Sequence, residues 1–337
     1  MKDIARDLGV SVVTVSKVLR NHEDISAETR ERVLKRIEEL NYQPNPAAQA
    51  LVTGRMHLVG LVVPDLVHAF FAQVAKGISR ILREKGYGLV ISSSEEDPDL
   101  ERQEIRQMLV RRLDVLMIAS TQWTVESFVD IEQQQRRYVL VDRRFHGVDA
   151  NYVGTDDVQV GNLATSHLIE NGCKRVAHLG GRNVSTAMDR LQGYQDALLN
   201  AGMTVDERLI VSGSHSDDAA DVTGYHAMKE LLQMEEVPDG VFCYNDPMAM
   251  GAMRAILDAG LRIPEDIAII GAGNVQYASD LRVPLSSIDQ DSETLGANAA
   301  RLALSLMEAK QPPPPQEILI RPRLVPRESS LRRRPSG

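Results

Sequence analysis

Asp3-Ile4-Ala5-Arg6-Asp7-Leu8-Gly9-Val10-Ser11-Val12-Val13-Thr14-Val15-Ser16-Lys17-Val18-Leu19 reads as two short amphipathic helices divided at a glycine. In the first, Ile4, Ala5 and Leu8 recur at helical spacing. Gly9 suits a left-handed turn, Val10 plugs a small core, and Ser11 is placed to cap the second helix. That helix turns Val15, Val18 and Leu19 inward and leaves Val12, Val13, Ser16 and Lys17 elsewhere on its surface. A third is predicted from Ser26, with Val33, Leu34, Ile37 and Leu40 as its apolar face. A helix–turn–helix of this length is a DNA-binding geometry, although such pairs also serve as plain packing units.

Outward from this head, Asn41-Tyr42-Gln43-Pro44-Asn45-Pro46 breaks the pattern with two prolines, and a short helical piece, residues 47–51, comes next. From residue 58 apolar β-type runs alternate with amphipathic helices. Strands are predicted at 58–63, 89–92, 113–118, 138–141, 175–179, 208–211, 240–244 and 267–271. Helices are predicted near 70–85, 99–112, 124–135, 157–171, 187–201, 219–233, 247–259 and 291–309. Such alternation is the signature of parallel sheets covered by helices on both faces. The number of units exceeds one ordinary open sheet, so two lobes are expected, with a ligand where strand carboxyl ends face the cleft between them. No internal repeat is evident. Pro312–Pro315 reads as a stiff connector and 331–337 as a disordered basic tail.

Composition bounds the function. A chain of 337 residues suggests two or three domains. No apolar run is long enough to span a membrane and no signal peptide is legible, so a cytoplasmic protein is expected. Cys173 and Cys243 read as buried small hydrophobes rather than a disulfide framework. The net charge of −9 is uneven: residues 1–56 hold nine Lys and Arg against eight Asp and Glu, a net of +1, which leaves −10 for the rest. A near-neutral head on an acidic body permits DNA binding by a local surface with weak non-specific affinity. The histidines are scattered, and no HxxxH or CxxC spacing and no Gly-x-Ser-x-Gly elbow occurs. Gly180-Gly181 and Gly271-x-Gly273 lack the spacing of a phosphate loop. No catalytic residue, metal or cofactor is expected.

The head string resembles the lactose/galactose-repressor family almost position for position. The match runs from Asp3-Ile4-Ala5, through Leu8-Gly9-Val10-Ser11, to Thr14-Val15-Ser16-Lys17-Val18-Leu19. It continues through Ile25-Ser26, Glu28-Thr29-Arg30, Leu40-Asn41-Tyr42, Pro44-Asn45 and Ala47 to Thr53-Gly54. The resemblance implies that the second helix, capped by Ser11, enters the major groove with Val12, Val13 and Lys17 toward base edges. Two valines offer only apolar contact, for instance to thymine methyls, and Lys17 lacks the planar fork of arginine. The alternative for both valines is a contact with the first helix. Thr14, Ser16 and Asn21 would hold phosphates. Asn45–Leu51, too short for a stable isolated helix, would be a hinge helix ordered on operator DNA. Asn45, Ala48 and Gln49 would touch the duplex, and Leu51 would wedge its central step or else cover the core. The family's usual threonine cap before Lys2 is missing, and a translation start slightly upstream is the expectation drawn from that.

The core resembles the same family's two-lobed, periplasmic-binding-protein-like sensor (type I). That resemblance places effector contacts at Phe70, Phe71, Asp142, Arg190, His215, Asp246, Asn274 and Gln290. Phe71 is equally a core contact, and the lesser alternative for Asp246 is a helix cap. At Gly271-Ala272-Gly273-Asn274 relatives commonly carry a ring and a carboxylate that are missing here. The implied domains are a head at 1–44, a hinge and linker at 45–56, and a core at 57–330. Lobe one would take about 57–154 and 286–320, lobe two about 155–285. The expected protein is a homodimeric repressor of a pseudo-palindromic double-stranded DNA operator, controlled by a small effector, a sugar or sugar derivative. Alternatives are a regulator switched by a protein partner and, remotely, a periplasmic sugar-binding protein.

Overall fold

A computed structural model describes residues 1–19, 22, 24–42, 54–122, 124, 128–212 and 219–332. It divides into two compact units, Met1–His57 and Leu58–Gly337.

The first unit carries three helices, α1 (Lys2–Leu8), α2 (Val12–Leu19) and α3 (Ala27–Glu39). Gly9 takes φ 65° and closes α1 through its own N–H to the Ala5 and Arg6 carbonyls, a conformation that a Cβ would strain. The Ser11 hydroxyl accepts from Thr14 N at 3.0 Å and that of Ser26 from Thr29 N at 3.3 Å, so both helix starts are side-chain capped. Met1 holds the cap position of α1 without a side-chain hydrogen bond. Ile4, Ala5, Val15, Val18 and Val33 form the core, with Leu19 and Ile37 packed against it. Leu34 and Leu40, expected in that core, lie exposed at 47% and 42%. Three short helices enclose a single layer of side chains, and Val33 and Ile37 already fill the share that α3 supplies. Arg36 ties α3 to α1 by two hydrogen bonds to Asp7 at 2.6 and 3.1 Å.

The second unit contains two six-stranded sheets. The first is built from β1 (Leu58–Val63), β2 (Gly88–Ser93), β3 (Val115–Ile118), β4 (Tyr138–Val141), β5 (Tyr152–Thr155) and β11 (Glu317–Ile320). The second is built from β6 (Val176–Gly180), β7 (Ile210–Ser212), β8 (Gly240–Cys243), β9 (Ala268–Ala272), β10 (Ser286–Asp289) and β12 (Arg323–Val325). The orders β2-β1-β3-β4-β5-β11 and β7-β6-β8-β9-β10-β12 are the same doubly wound path run twice, a repeat that the sequence does not display. Pairing is parallel, as expected of doubly wound sheets, except for β10 with β12, which run antiparallel. On one face of the first sheet lie α4 (Ala69–Glu84) and α11 (Ser292–Glu308). On the other lie α5 (Pro98–Val110) and the short α6 (Val129–Gln133), much less than the helix expected at 124–135. The second sheet is covered by α7 (Asp157–Glu170) with α8 (Ser185–Asn200), and by α9 (Ala220–Leu231) with α10 (Asp246–Asp258).

Four strands, β5, β10, β11 and β12, are not among those predicted, each offering at most a short apolar run such as Ile318-Leu319-Ile320 in β11. The sequence Ser286-Ser287-Ile288-Asp289 is buried because its hydroxyls are satisfied: Ser286 donates to the Arg327 carbonyl and Ser287 to Asp246. β10 pairs with β9, so the lobe boundary drawn at residue 286 is wrong. The chain returns to the first lobe only after Gln290. Arg332, expected in a disordered tail, hydrogen-bonds the Pro264 carbonyl and Asp239, so residues 331 and 332 are described with the core. Residues 333–337 lie outside the described residues.

The paired helices meet at glycines. Gly77 on α4 faces Gly296 on α11, Gly161 on α7 faces Gly193 on α8, and Gly224 on α9 faces Gly251 on α10. At each, an added methyl would overlap a backbone carbonyl oxygen of the partner helix. Both cysteines are buried and free. Among the described residues no helix is long and apolar enough to cross a membrane.

Candidate effector cleft and DNA-reading head

Between the two sheets, at the carboxyl ends of β1, β4, β6, β8 and β9, opens a cavity of about 450 Å³. The doubly wound path puts it there, since the parallel strands of both halves point their carboxyl ends at the same gap. Asp142, the residue after β4, lines it in a left-handed backbone (φ 65°) that aspartate tolerates better than most side chains. Its neighbour Tyr152 donates to its main-chain oxygen at 2.9 Å. Asp142 is 95% buried, its carboxyl accepts no hydrogen bond among the described residues, and burial raises its pKa against the pull of Arg143 and Arg190.

Two arginines face this carboxyl, and each is already anchored. Arg143 is held bidentately by Glu96, at 2.7 and 3.0 Å. Burial opposes ionisation of Glu96, but the Arg143 charge and hydrogen bonds bring its pKa below the ordinary value. Arg190, on α8, donates from Nε to Asp157 at 2.7 Å and from Nη1 to the Tyr244 carbonyl at 2.6 Å, with its guanidinium 4.6 Å from the Tyr244 ring centre. Burial pushes the Asp157 carboxyl up to about 7, against the pull of Arg190. Arg190 is thereby a fixed fork on the cavity wall, held through Nε and Nη1.

Phe70 and Phe71, in the first turn of α4, meet edge to face with centroids 5.1 Å apart. Both are buried in the first-lobe core and both line the cavity, so neither the ligand-wall nor the core assignment displaces the other. Gln290 also lines it and donates to Thr155 Oγ1 at 3.4 Å, joining two of the places where the chain passes between the lobes.

Two of the expected contacts are not brought to the cavity. Asp246 is fully buried behind the wall, accepting from Val275 N at 2.8 Å and Ser287 Oγ at 2.6 Å. Nor is it the helix cap: Asn245 caps α10 by accepting from Met248 N at 2.9 Å, and it is Asn245 that reaches the cavity. Asn274 turns away, its side-chain oxygen accepting from Arg327 at 2.7 Å. Its neighbour Ala272 lines the floor instead. His215 lies outside the described residues. The sequence had not singled out His68, Glu96, Tyr244 and Asn245 as lining residues. A legible signal existed for Asn245, a capping residue two places before a proline at a strand's end.

Asp246 supplies a testable separation of structure from binding. Burial raises its carboxyl from 3.8 to about 6, against the hydrogen bonds from Ser287 and Val275. A raised folded-state pKa means that the folded chain holds the proton longer, so this group's contribution falls as pH rises from about 4 through about 6. Asp246→Asn, which keeps an acceptor for Val275 N, is expected to flatten that fall in thermal unfolding between pH 4.5 and 8. Effector affinity should be unchanged.

In the head, Val12 and Val13 stand exposed at 40% and 61% on α2, with no contact to α1 that would bury them. Ser11 and Thr14 are bonded to each other, hydroxyl to hydroxyl at 2.9 Å, and Lys17 is ion-paired with Asp24. Ser16 is half-buried on the same helix. Asn21 and the hinge positions Asn45, Ala48, Gln49 and Leu51 lie outside the described residues.

Comparison with known proteins agrees with this division. Residues 1–45 match the family described as bacterial regulatory proteins, lacI family, and residues 165–330 match a periplasmic binding protein-like domain. The HTH-type transcriptional regulator GalR of Escherichia coli (strain K12) is 34% identical over 98% of this chain and 95% of its own. Among solved structures, the lac repressor dimer bound to operator and the anti-inducer ONPF superposes with a TM-score of 0.85 at 27% identity, covering 98% of both chains. A complex of the transcriptional regulator CelR with cellobiose gives a TM-score of 0.74 at 30% identity over 97% of this chain and 98% of that one. Head, core and relatives coincide over nearly the whole length: the chain belongs to the lacI family of bacterial transcriptional regulators.

Proposed function

We propose that this regulator is a repressor that binds a pseudo-palindromic operator as a homodimer and releases it when an uncharged carbohydrate fills the inter-lobe cavity. The observation that carries the ligand class is the composition of the cavity wall. Asp142 is a buried acceptor without a hydrogen-bond donor among the described residues, Arg190 a pre-oriented donor, and Phe70 with Phe71 an apolar face. Hydroxyls and the C–H face of a sugar ask for those three things together. A cellobiose complex among the relatives supports the class. A cavity walled by both lobes is also a site whose affinity differs between their open and closed arrangements, and only such a difference lets a ligand shift an equilibrium. A dimer follows from the two-turn α2: one such helix reads too few base pairs for operator-level specificity.

The test is selection of genomic DNA fragments by the purified protein, then footprinting and thermal unfolding with neutral sugars. A palindromic site, and a sugar that both stabilises the protein and releases that site, are expected. A site with no stabilising sugar would move the switch to a protein partner, and the absence of any site would sink the DNA-reading assignment. Within the operator, uracil in place of a thymine facing Val12 or Val13 should weaken binding about fourfold. That is roughly 0.8 kcal/mol for one buried methyl, measured by titration of labelled duplexes.

A further inference from the structure

Helix α2 carries a single charged side chain, Lys17, and that charge is already met. The Lys17 ammonium donates to the carboxylate of Asp24, which lies in the turn between α2 and α3. The turn is tied down on both sides. His22 N donates back to the Lys17 carbonyl at 3.1 Å, the Arg30 guanidinium on α3 donates to the His22 carbonyl, and Ser26 caps α3. Lys17 follows Val13 by four residues, so the two share one face of the helix, and Val13 is exposed. The side chains of Lys17 and Asp24 are themselves 36% and 54% exposed. A pair so open to water adds little to stability, so its effect falls on whatever meets that face. The Lys17 hydrogen bond holds the Asp24 carboxyl below its usual pKa, with the Lys17 charge acting the same way. At neutral pH the helix therefore meets a polyanion with a carboxylate beside its one cation.

This placement acts unequally on different DNA. A phosphate can take Lys17 only by replacing a carboxylate of the same sign, so the exchange neutralises little charge and releases few counterions. A base edge is an uncharged acceptor. The ammonium has three N–H groups, so Lys17 can keep Asp24 on one and give the others to the two acceptors of a guanine edge. We propose that Asp24 is a specificity-determining residue of the head, a positioning carboxylate that withholds Lys17 from phosphates and aims it at a base edge. The proposal rests on α2 being the face that meets DNA.

The test titrates the full-length protein, over a range of KCl, against the fragment it enriches most from genomic DNA and against a random-sequence duplex of equal length. Asp24→Asn is expected to bind the random duplex about fivefold more tightly at low salt, with a salt slope steeper by about one, as for one more phosphate neutralised. The enriched fragment should gain much less, so the ratio of the two affinities falls. Asp24→Glu, which keeps the charge, should restore the wild-type ratio. In a Lys17→Met background Asp24→Asn should leave that ratio unchanged, because no ammonium remains to be released. All variants should melt as the wild type does, since both side chains are exposed. Equal gains on both duplexes, or the same fall in ratio without Lys17, would make Asp24 a plain source of repulsion and overturn the proposal. A loss of affinity confined to the enriched fragment would mean that Asp24 reads a base itself, which also overturns it. If Lys17→Met binds both duplexes as the wild type does, α2 is not the reading face, and the proposal falls with that assignment.

Discussion

Arg190→Met is expected to lower stability by about 3–5 kcal/mol at pH 8, because it leaves the buried Asp157 carboxyl without its partner. Both side chains are at least 96% buried, so solvent cannot take the place of the guanidinium. The loss should be smaller at pH 6. With Arg190 present, Asp157 already titrates near 7, and without it the folded-state value must rise further. A carboxyl with a raised folded pKa loses stability as pH climbs from its unfolded value to its folded one. The decline in the wild type attributable to Asp157 should therefore end near pH 7, and that of the variant continue above it. Denaturant unfolding at pH 6, 7 and 8.5 measures both slopes. A loss below 1 kcal/mol that does not change with pH would show that Asp157 is solvated and would remove the fixed-fork argument for Arg190. Effector binding should disappear in the same variant even where it remains folded, since the cavity loses its oriented donor.

Gly161→Ala should have the next largest effect, and through the same residue. An added methyl there overlaps the Arg190 carbonyl oxygen across the α7–α8 contact. The two helices must part, which costs roughly 1–3 kcal/mol in a close-packed interior. Parting them also moves Arg190 off Asp157, so effector affinity should fall by more than tenfold. The reciprocal change Gly193→Ala, meeting the Val158 carbonyl, should behave alike. Gly180→Ala is the control: its methyl would find neighbours no closer than 3.6 Å, an ordinary contact. It should leave stability within about 0.5 kcal/mol. Equal losses in all three variants would mean that the effect is the general cost of altering glycine rather than the helix contact.

Where the sequence read correctly, the physics was local. The Leu8-Gly9-Val10-Ser11 turn needs a residue free of Cβ strain and then a capping hydroxyl, and both requirements are visible within four residues. The apolar strands β1, β3, β4, β6, β8 and β9 announce themselves because both their faces are buried, which forces a continuous run. Asp142 and Arg190 were legible from the motifs around them, and both line the cavity.

Where it failed, the deciding partner lay far along the chain. The serines of β10 look like a loop until Arg327, 41 residues on, and Asp246, 41 residues back, are seen to satisfy them. Asp246 and Asn245 differ by one place, and the sequence assigned the ligand role to the carboxylate. Only the loop at Val275, folded back onto Asp246 from 29 residues away, seals that carboxylate behind the wall and leaves the amide facing the cleft. The meeting of His68 and Asn245 at the cavity wall, 177 residues apart in the chain, has no local signature at all. The order of residues was thus enough for the head, the alternation of strand and helix, and the family. Backbone conformation and burial period depend on neighbours within a turn or two, so a string of residues suffices to state them. Which polar groups are spent on each other, and which remain for a ligand, emerged only in three dimensions. Satisfaction of a buried hydrogen-bonding group is a property of the pair, and the second member of each pair was brought in by the doubly wound path rather than by its place in the chain.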